Sequence, residues 1–227
     1  MGRISRGFRR TVMPTLIGVA WGIAGLNILG IISRSTADPI ESVFLRKKIE
    51  NVVRRQEKTL GIRHFGEPRI TLDAPRQDAL VGRYSTFYDN VWVRESEEDS
   101  ITIAHELGHW YADKLSESLG NGSWPSIWKF FKKKREKVIS EGIAAYFEYR
   151  TFGDSSKRNL WHSDFEGYPR YEYGYAAVGY EIVAPILDQS IDRGIEFLIK
   201  NPPKKRDMKD HKGYRERILR MMDEEKQ

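Results

Sequence analysis

The chain has 227 residues, 40% of them apolar and 31% charged, with a formal net charge of +6 and no cysteine. That length suits one domain-sized core, and the lack of cysteine excludes disulfides and thiol catalysis. The positive balance comes without a recognised nucleic-acid-binding motif, so no nucleic acid is expected as a partner. Residues 1 to 11 are a basic tail with Arg3, Arg6, Arg9 and Arg10 and no acidic residue. From Val12 to Ile32 run 21 residues without a charge, about 31 Å as a helix, which matches the hydrocarbon core of a bilayer. The expectation is a single transmembrane anchor over 12–32. The arginine flank keeps the amino terminus cytoplasmic and puts the remaining chain outside the cytoplasm, with membrane lipid as a partner. The rival is a cleaved signal peptide with Ser35, Thr36 and Ala37 as its small-residue site, which gives an exported soluble protein. Gly18 and Gly22 form a Gly-x-x-x-Gly pair that can bring two anchors together as a homodimer.

Residues 33–60 read as a charged connecting helix, amphipathic from Pro39 to Leu60, and Arg69 to Leu72 reads as a short strand. Ala79 to Ser85 and Asn90 to Arg94 are β-prone runs separated by Thr86, Phe87, Tyr88 and Asp89, the pattern of a hairpin. A helix follows: Glu97, Glu98 and Asp99 favour its start, while Ile101, Ile103, Ala104, Leu107, Trp110, Tyr111 and Leu115 supply its apolar positions. Inside it stand His105, Glu106, Leu107, Gly108 and His109. Histidines four apart project from one helical face, so both can bind one zinc ion while Glu106 reaches a water that the metal activates.

Catalytic zinc usually takes three protein ligands. Ala112 and Leu115 stand where a third-histidine pattern would require glycine and histidine, which leaves Glu141 as the strong candidate. A helical reading puts Val138, Glu141 and Ala145 on one face, and the small residues Gly142, Ala144 and Ala145 allow close approach to the first helix. Glu148, seven residues on, is the alternative ligand.

Ser126 to Phe152 is the helix that carries Glu141. The stretch Trp124 to Lys137 interleaves aromatic and basic residues, either as core and solvated faces of one helix or as a surface for an anionic bilayer. Gly153 to Pro169 is rich in turn residues, and Tyr171 to Asp188 reads as a helix with a break near Pro185. Ile195 to Ile199 begins a short helix closed by Pro202 and Pro203, and 204–227 reads as an exposed basic helix or tail. The expected architecture is α+β: a small mixed β-sheet packed on zinc-binding helices within a domain of residues 61–203, preceded by the transmembrane helix.

His105, Glu106 and His109, followed by Glu141 in a Glu-Gly-x-Ala-x-Tyr-Phe-Glu setting, resemble the gluzincins, especially their aminopeptidase N and leukotriene hydrolase branch. The run Tyr171, Glu172, Tyr173, Gly174, Tyr175, Ala176 looks like that branch's Tyr-Glu-x-Gly-aromatic-Ala stretch. The resemblance covers about residues 79 to 200, and the small size is similar to the minigluzincins. It implies a zinc metallopeptidase with one zinc per chain held by His105, His109 and Glu141. Glu106 is then the proton shuttle and Tyr171 the donor to the transition-state oxyanion. The chain departs from the branch at two points. The Gly-x-Met-Glu-Asn string that captures a peptide's amino terminus is missing, so internal cleavage of a peptide or protein substrate is expected. Ala145 stands where thermolysin-like relatives carry a histidine-orienting aspartate, so that role must fall to another residue. The alternatives are a zinc hydrolase of a non-peptide substrate and an inactive membrane-tethered binding protein, and the presence of Glu106 argues for turnover.

Overall fold

The structure is a computed structural model describing residues 39–66, 68–73, 82–85, 89–94, 100–122, 124, 134–153 and 170–225. The chain divides into two units, Met1–Pro39 and Ile40–Gln227, and every described residue after Pro39 belongs to the second. Helix α1, Pro39–Leu60, ends where Gly61 turns to φ 66 and its N–H caps the Glu57 carbonyl at 3.0 Å. Three short strands come next in the chain: β1 Arg69–Asp73, β2 Gly82–Ser85 and β3 Asn90–Arg94. Their order is β1-β3-β2, with β1 parallel and β2 antiparallel to the central β3 and Tyr84 opposite Val91. Five more helices complete the described chain: α2 Ser100–Ser118, α3 Lys134–Phe152, α4 Arg170–Leu187, α5 Ile191–Lys200 and α6 His211–Glu224.

Helix α2 is the wall between two cores. On one side Ile103, Ala104, Leu107 and Trp110 meet Ile49 and Val52 of α1 and Val91 of β3. On the other, Tyr111, Ala112 and Leu115 join Ile139, Ile143 and Phe147 of α3 and buried residues of α4, α5 and α6. The small residues decide how closely the helices approach. A Cβ on Gly108 would lie 2.8 Å from the Ala144 Cα, and one on Gly142 would lie 2.3 Å from the Gly179 carbonyl carbon. Backbone therefore packs on backbone where α2 crosses α3 and where α3 crosses α4.

These contacts correct the expected α+β class. The described residues are mostly helical, and both hydrophobic cores are built mainly from helices. The strands, four or five residues each, form one three-stranded sheet that is a small part of this body. Two smaller expectations change as well. Helix α4 runs without a break through Pro185, two residues before its end. Proline at 185 cannot donate to the Glu181 carbonyl, and Arg215 Nη1 of α6 donates to that oxygen at 3.3 Å instead. Helix α6, expected as an exposed segment, buries Tyr214, Ile218 and Met222.

Among the described residues no helix is long and apolar enough to cross a membrane. This overturns the expected single-pass localisation, which rested on the lack of charge in 12–32. Of the described helices with 18 or more residues, α1 is heavily charged, α2 and α3 carry the histidines and carboxylates of one cluster, and α4 includes Arg170, Glu172 and Glu181. Residues 12–32, Gly18 and Gly22, and most of the stretch from Trp124 to Lys137 lie outside the described residues.

Candidate metal centre

His105 and His109 stand one turn apart on α2, their rings 5.1 Å centre to centre and nearly perpendicular. The Gly108 contact brings α3 close enough for Glu141 to reach both. Glu141 Oε2 lies 3.3 Å from His105 Nε2 and 3.7 Å from His109 Nε2. The three ligand atoms all fall within 4.8 Å of one another, the one such group among the described residues. Ligand atoms set tetrahedrally 2.0–2.1 Å from a zinc ion sit about 3.4 Å apart, close to the two distances from Glu141.

The far side of each imidazole is held as well. His105 Nδ1 is 3.0 Å from Glu148 Oε2, and His109 Nδ1 is 3.0 Å from Ser140 Oγ. An ionised carboxylate only accepts, so the Glu148 contact requires Nδ1–H, and Nε2, on the Glu141 side, is the nitrogen left to give up its proton to a cation. The serine oxygen can accept in the same way from His109. Glu148, the alternative ligand by sequence, therefore orients a histidine.

Glu106, between the histidines, points to the strands. Its Oε2 accepts the backbone N–H of Tyr84 in β2 at 2.5 Å, which leaves Oε1 outside that contact. Burial pushes the Glu106 carboxyl above its ordinary range; the charge on Glu141 adds to this, while the two histidines and the Tyr84 N–H oppose it. Burial works against charge on His105, but its hydrogen bonds to Glu141 and Glu148 outweigh it and hold the imidazole pKa well above the usual value. Burial also disfavours ionised Glu141, yet the hydrogen bonds from His105 and His109 hold that carboxyl far below its ordinary range. Carboxylates on three sides of two imidazoles make a donor set suited to a cation.

The structure thus brings together His105, Glu106, His109 and Glu141. Tyr171 falls in the first turn of α4, but its side chain lies outside the described ones. Sequence reasoning missed Ser140, the Tyr84 N–H and the role of Glu148. The spacing of seven from Glu141 was the signal for Glu148, since it returns to nearly the same helical face. A backbone N–H carries no signal in sequence.

No family model, curated protein or solved structure matches this chain.

Proposed function

We propose that the chain is a zinc-dependent metallopeptidase that cleaves peptide bonds internally. The observation that carries this reading is the convergence of His105 Nε2, His109 Nε2 and Glu141 Oε2, each imidazole being held from behind by Glu148 or Ser140. These three atoms would hold the zinc, which when bound acidifies a water and polarises the scissile carbonyl. Glu106, tethered through Oε2, takes the water's proton at Oε1 and passes it to the departing amine nitrogen as the C–N bond breaks. Its raised pKa suits a group that must accept a proton and release it again. Tyr171, on the helix packed against the one that carries Glu141, is assigned the hydrogen bond to the developing oxyanion on the strength of the sequence resemblance.

The sheet order narrows the expected substrate path. Among the described strands β3 is paired on both sides, so of the two hairpin strands it is β2 that lies at the edge of the sheet, with Tyr84 beside Glu106. An extended peptide laid along β2 would present its carbonyl beside the proton shuttle.

The test is elemental analysis of the purified full chain, followed by digestion of a peptide library with and without a chelator. One zinc per chain and internal cleavages that vanish with chelator and in Glu106→Gln support the reading. Stepwise loss of amino-terminal residues would make it an aminopeptidase. A zinc-loaded chain that leaves every peptide intact would overturn the peptidase assignment.

A further inference from the structure

Tyr84 grips α2 twice. Its main-chain N–H donates to Glu106 Oε2 at 2.5 Å, and its phenol donates to Asp113 Oδ2 at 2.5 Å. Glu106 and Asp113 are seven residues apart, two turns along one face of α2. Asp113 is fully buried, and its other oxygen accepts the backbone N–H of Trp124, itself buried in the larger core. The carboxylate that receives the phenol is therefore fixed from both oxygens. Lys114 and Trp110 both contact Asp89, the turn residue just before β3, and so bind the same end of the hairpin to the same helix.

In an antiparallel pair every second residue turns its N–H away from the partner strand. The Tyr84 N–H is such a group: it is spent on Glu106, although Tyr84 stands opposite Val91 in the register. An outward N–H on an edge strand is held in place only as firmly as the strand itself. With β2 four residues long, the Tyr84 phenol, which reaches a buried group of the helix, supplies that firmness.

We infer that Tyr84 and Asp113 form a positioning pair for the proton shuttle: the phenol, anchored on a buried carboxylate, holds β2 so that the Tyr84 N–H keeps Glu106 Oε2 and leaves Oε1 for proton transfer. The inference rests on the hydrolase reading for its catalytic consequence, whereas the clamp itself is a property of the fold. Neither residue is one of the three clustered ligands, so zinc content is expected to be independent of the pair.

The test uses the full chain with zinc, comparing wild type, Tyr84→Phe, Asp113→Asn and Glu106→Gln. Hydrogen exchange of the Tyr84 amide, read by NMR, reports the clamp without reference to activity. Exchange at least about tenfold faster in Tyr84→Phe and Asp113→Asn, with zinc content unchanged, is expected. With the peptide that wild type cleaves fastest, kcat should fall by about tenfold or more in both variants while KM stays within about twofold, because a misaimed base affects the transition state and not ground-state binding. If Tyr84→Phe does not fold, Asp113→Asn carries the same readouts, since asparagine can still accept from the Trp124 N–H. Unchanged amide exchange in the folded variants overturns the clamp, and faster exchange with unchanged kcat overturns its catalytic role. Failure of the hydrolase reading is distinguishable, because wild type itself would then cleave nothing.

Discussion

The carboxylate of Glu148 is not among the three clustered ligand atoms, yet it decides which nitrogen His105 has left for a cation. Removing it should weaken the site without abolishing it: Glu148→Ala is expected to lower zinc affinity about 10- to 100-fold in chelator competition. Glu141→Ala, which removes a ligand atom, should leave the purified chain largely without zinc, and the reverse ranking would exchange the two roles. Glu106→Gln should keep zinc in full and lower turnover by about two to four orders of magnitude, because only the proton transfer is lost. His64 makes a separate prediction about pH. It is buried, stacked on Trp110, edge-on to Tyr111 and 3.0 Å from Gln56 through Nε2. Burial lowers its pKa from 6.5 to about 4, against a smaller opposing pull from Glu57. The folded state thus binds fewer protons than the unfolded chain between those values. Its stability is full above pH 6.5 and declines as pH falls towards 4, by about 3 kcal/mol in all. Urea denaturation at successive pH values measures this, and His64→Gln should remove that part of the slope.

Between helices, the decisive contacts are those that admit no side chain. Gly142 is next to Glu141 and faces Gly179, where an added Cβ would meet backbone atoms at 2.3 to 2.7 Å that no rotamer change can move. Gly142→Ala must therefore separate α3 from α4 or rotate α3, and either shift displaces the third ligand. The expected result is a stability loss of about 1 to 3 kcal/mol or more, together with weakened zinc binding. Thermal melting and metal analysis on one preparation test both, and a variant with native zinc content would show that α3 can absorb the methyl group. Gly108→Ala acts on the other side of the same helix, against Ala144 and Phe147, and should weaken zinc in the same way. Gln56 ties α1 to α2 by donating to the Ala104 carbonyl at 3.0 Å from a fully buried position. Helix α1 is therefore part of the support beneath the histidines.

At the level of the whole molecule the candidate site staples α2 to α3, so a bound metal adds to folding stability. Free zinc at about 1,000 times its dissociation constant is worth about 4 kcal/mol, or roughly 8 to 16 °C in melting temperature for a chain of this size. Chelation should lower the melting temperature by that order, zinc should restore it, Glu106→Gln should behave like wild type, and Glu141→Ala should not respond. An unresponsive wild type would mean that the three side chains hold no metal. Much of the site's chemistry is legible in the residues alone, since helical periodicity sets His105 and His109 on one face and Glu141 near Glu148 on another. The span of α1 is legible for the same reason, its apolar spacing and the glycine that ends it. The sequence does not determine which glutamate faces Nε2 and which faces Nδ1, because the two differ by only about 20° around α3. Only the depth of the Gly108 and Gly142 crossings settles that. Nor does it reveal the Tyr84 N–H at Glu106, since any residue there other than proline carries the same backbone donor. Local pattern foresaw short strands but not their small share in a helical body, because a strand's weight in a fold depends on what packs over it. What the sequence determined by itself is the identity and helical face of the reactive side chains. What only the tertiary structure decided is their pairing, because pairing depends on how closely two helices can approach.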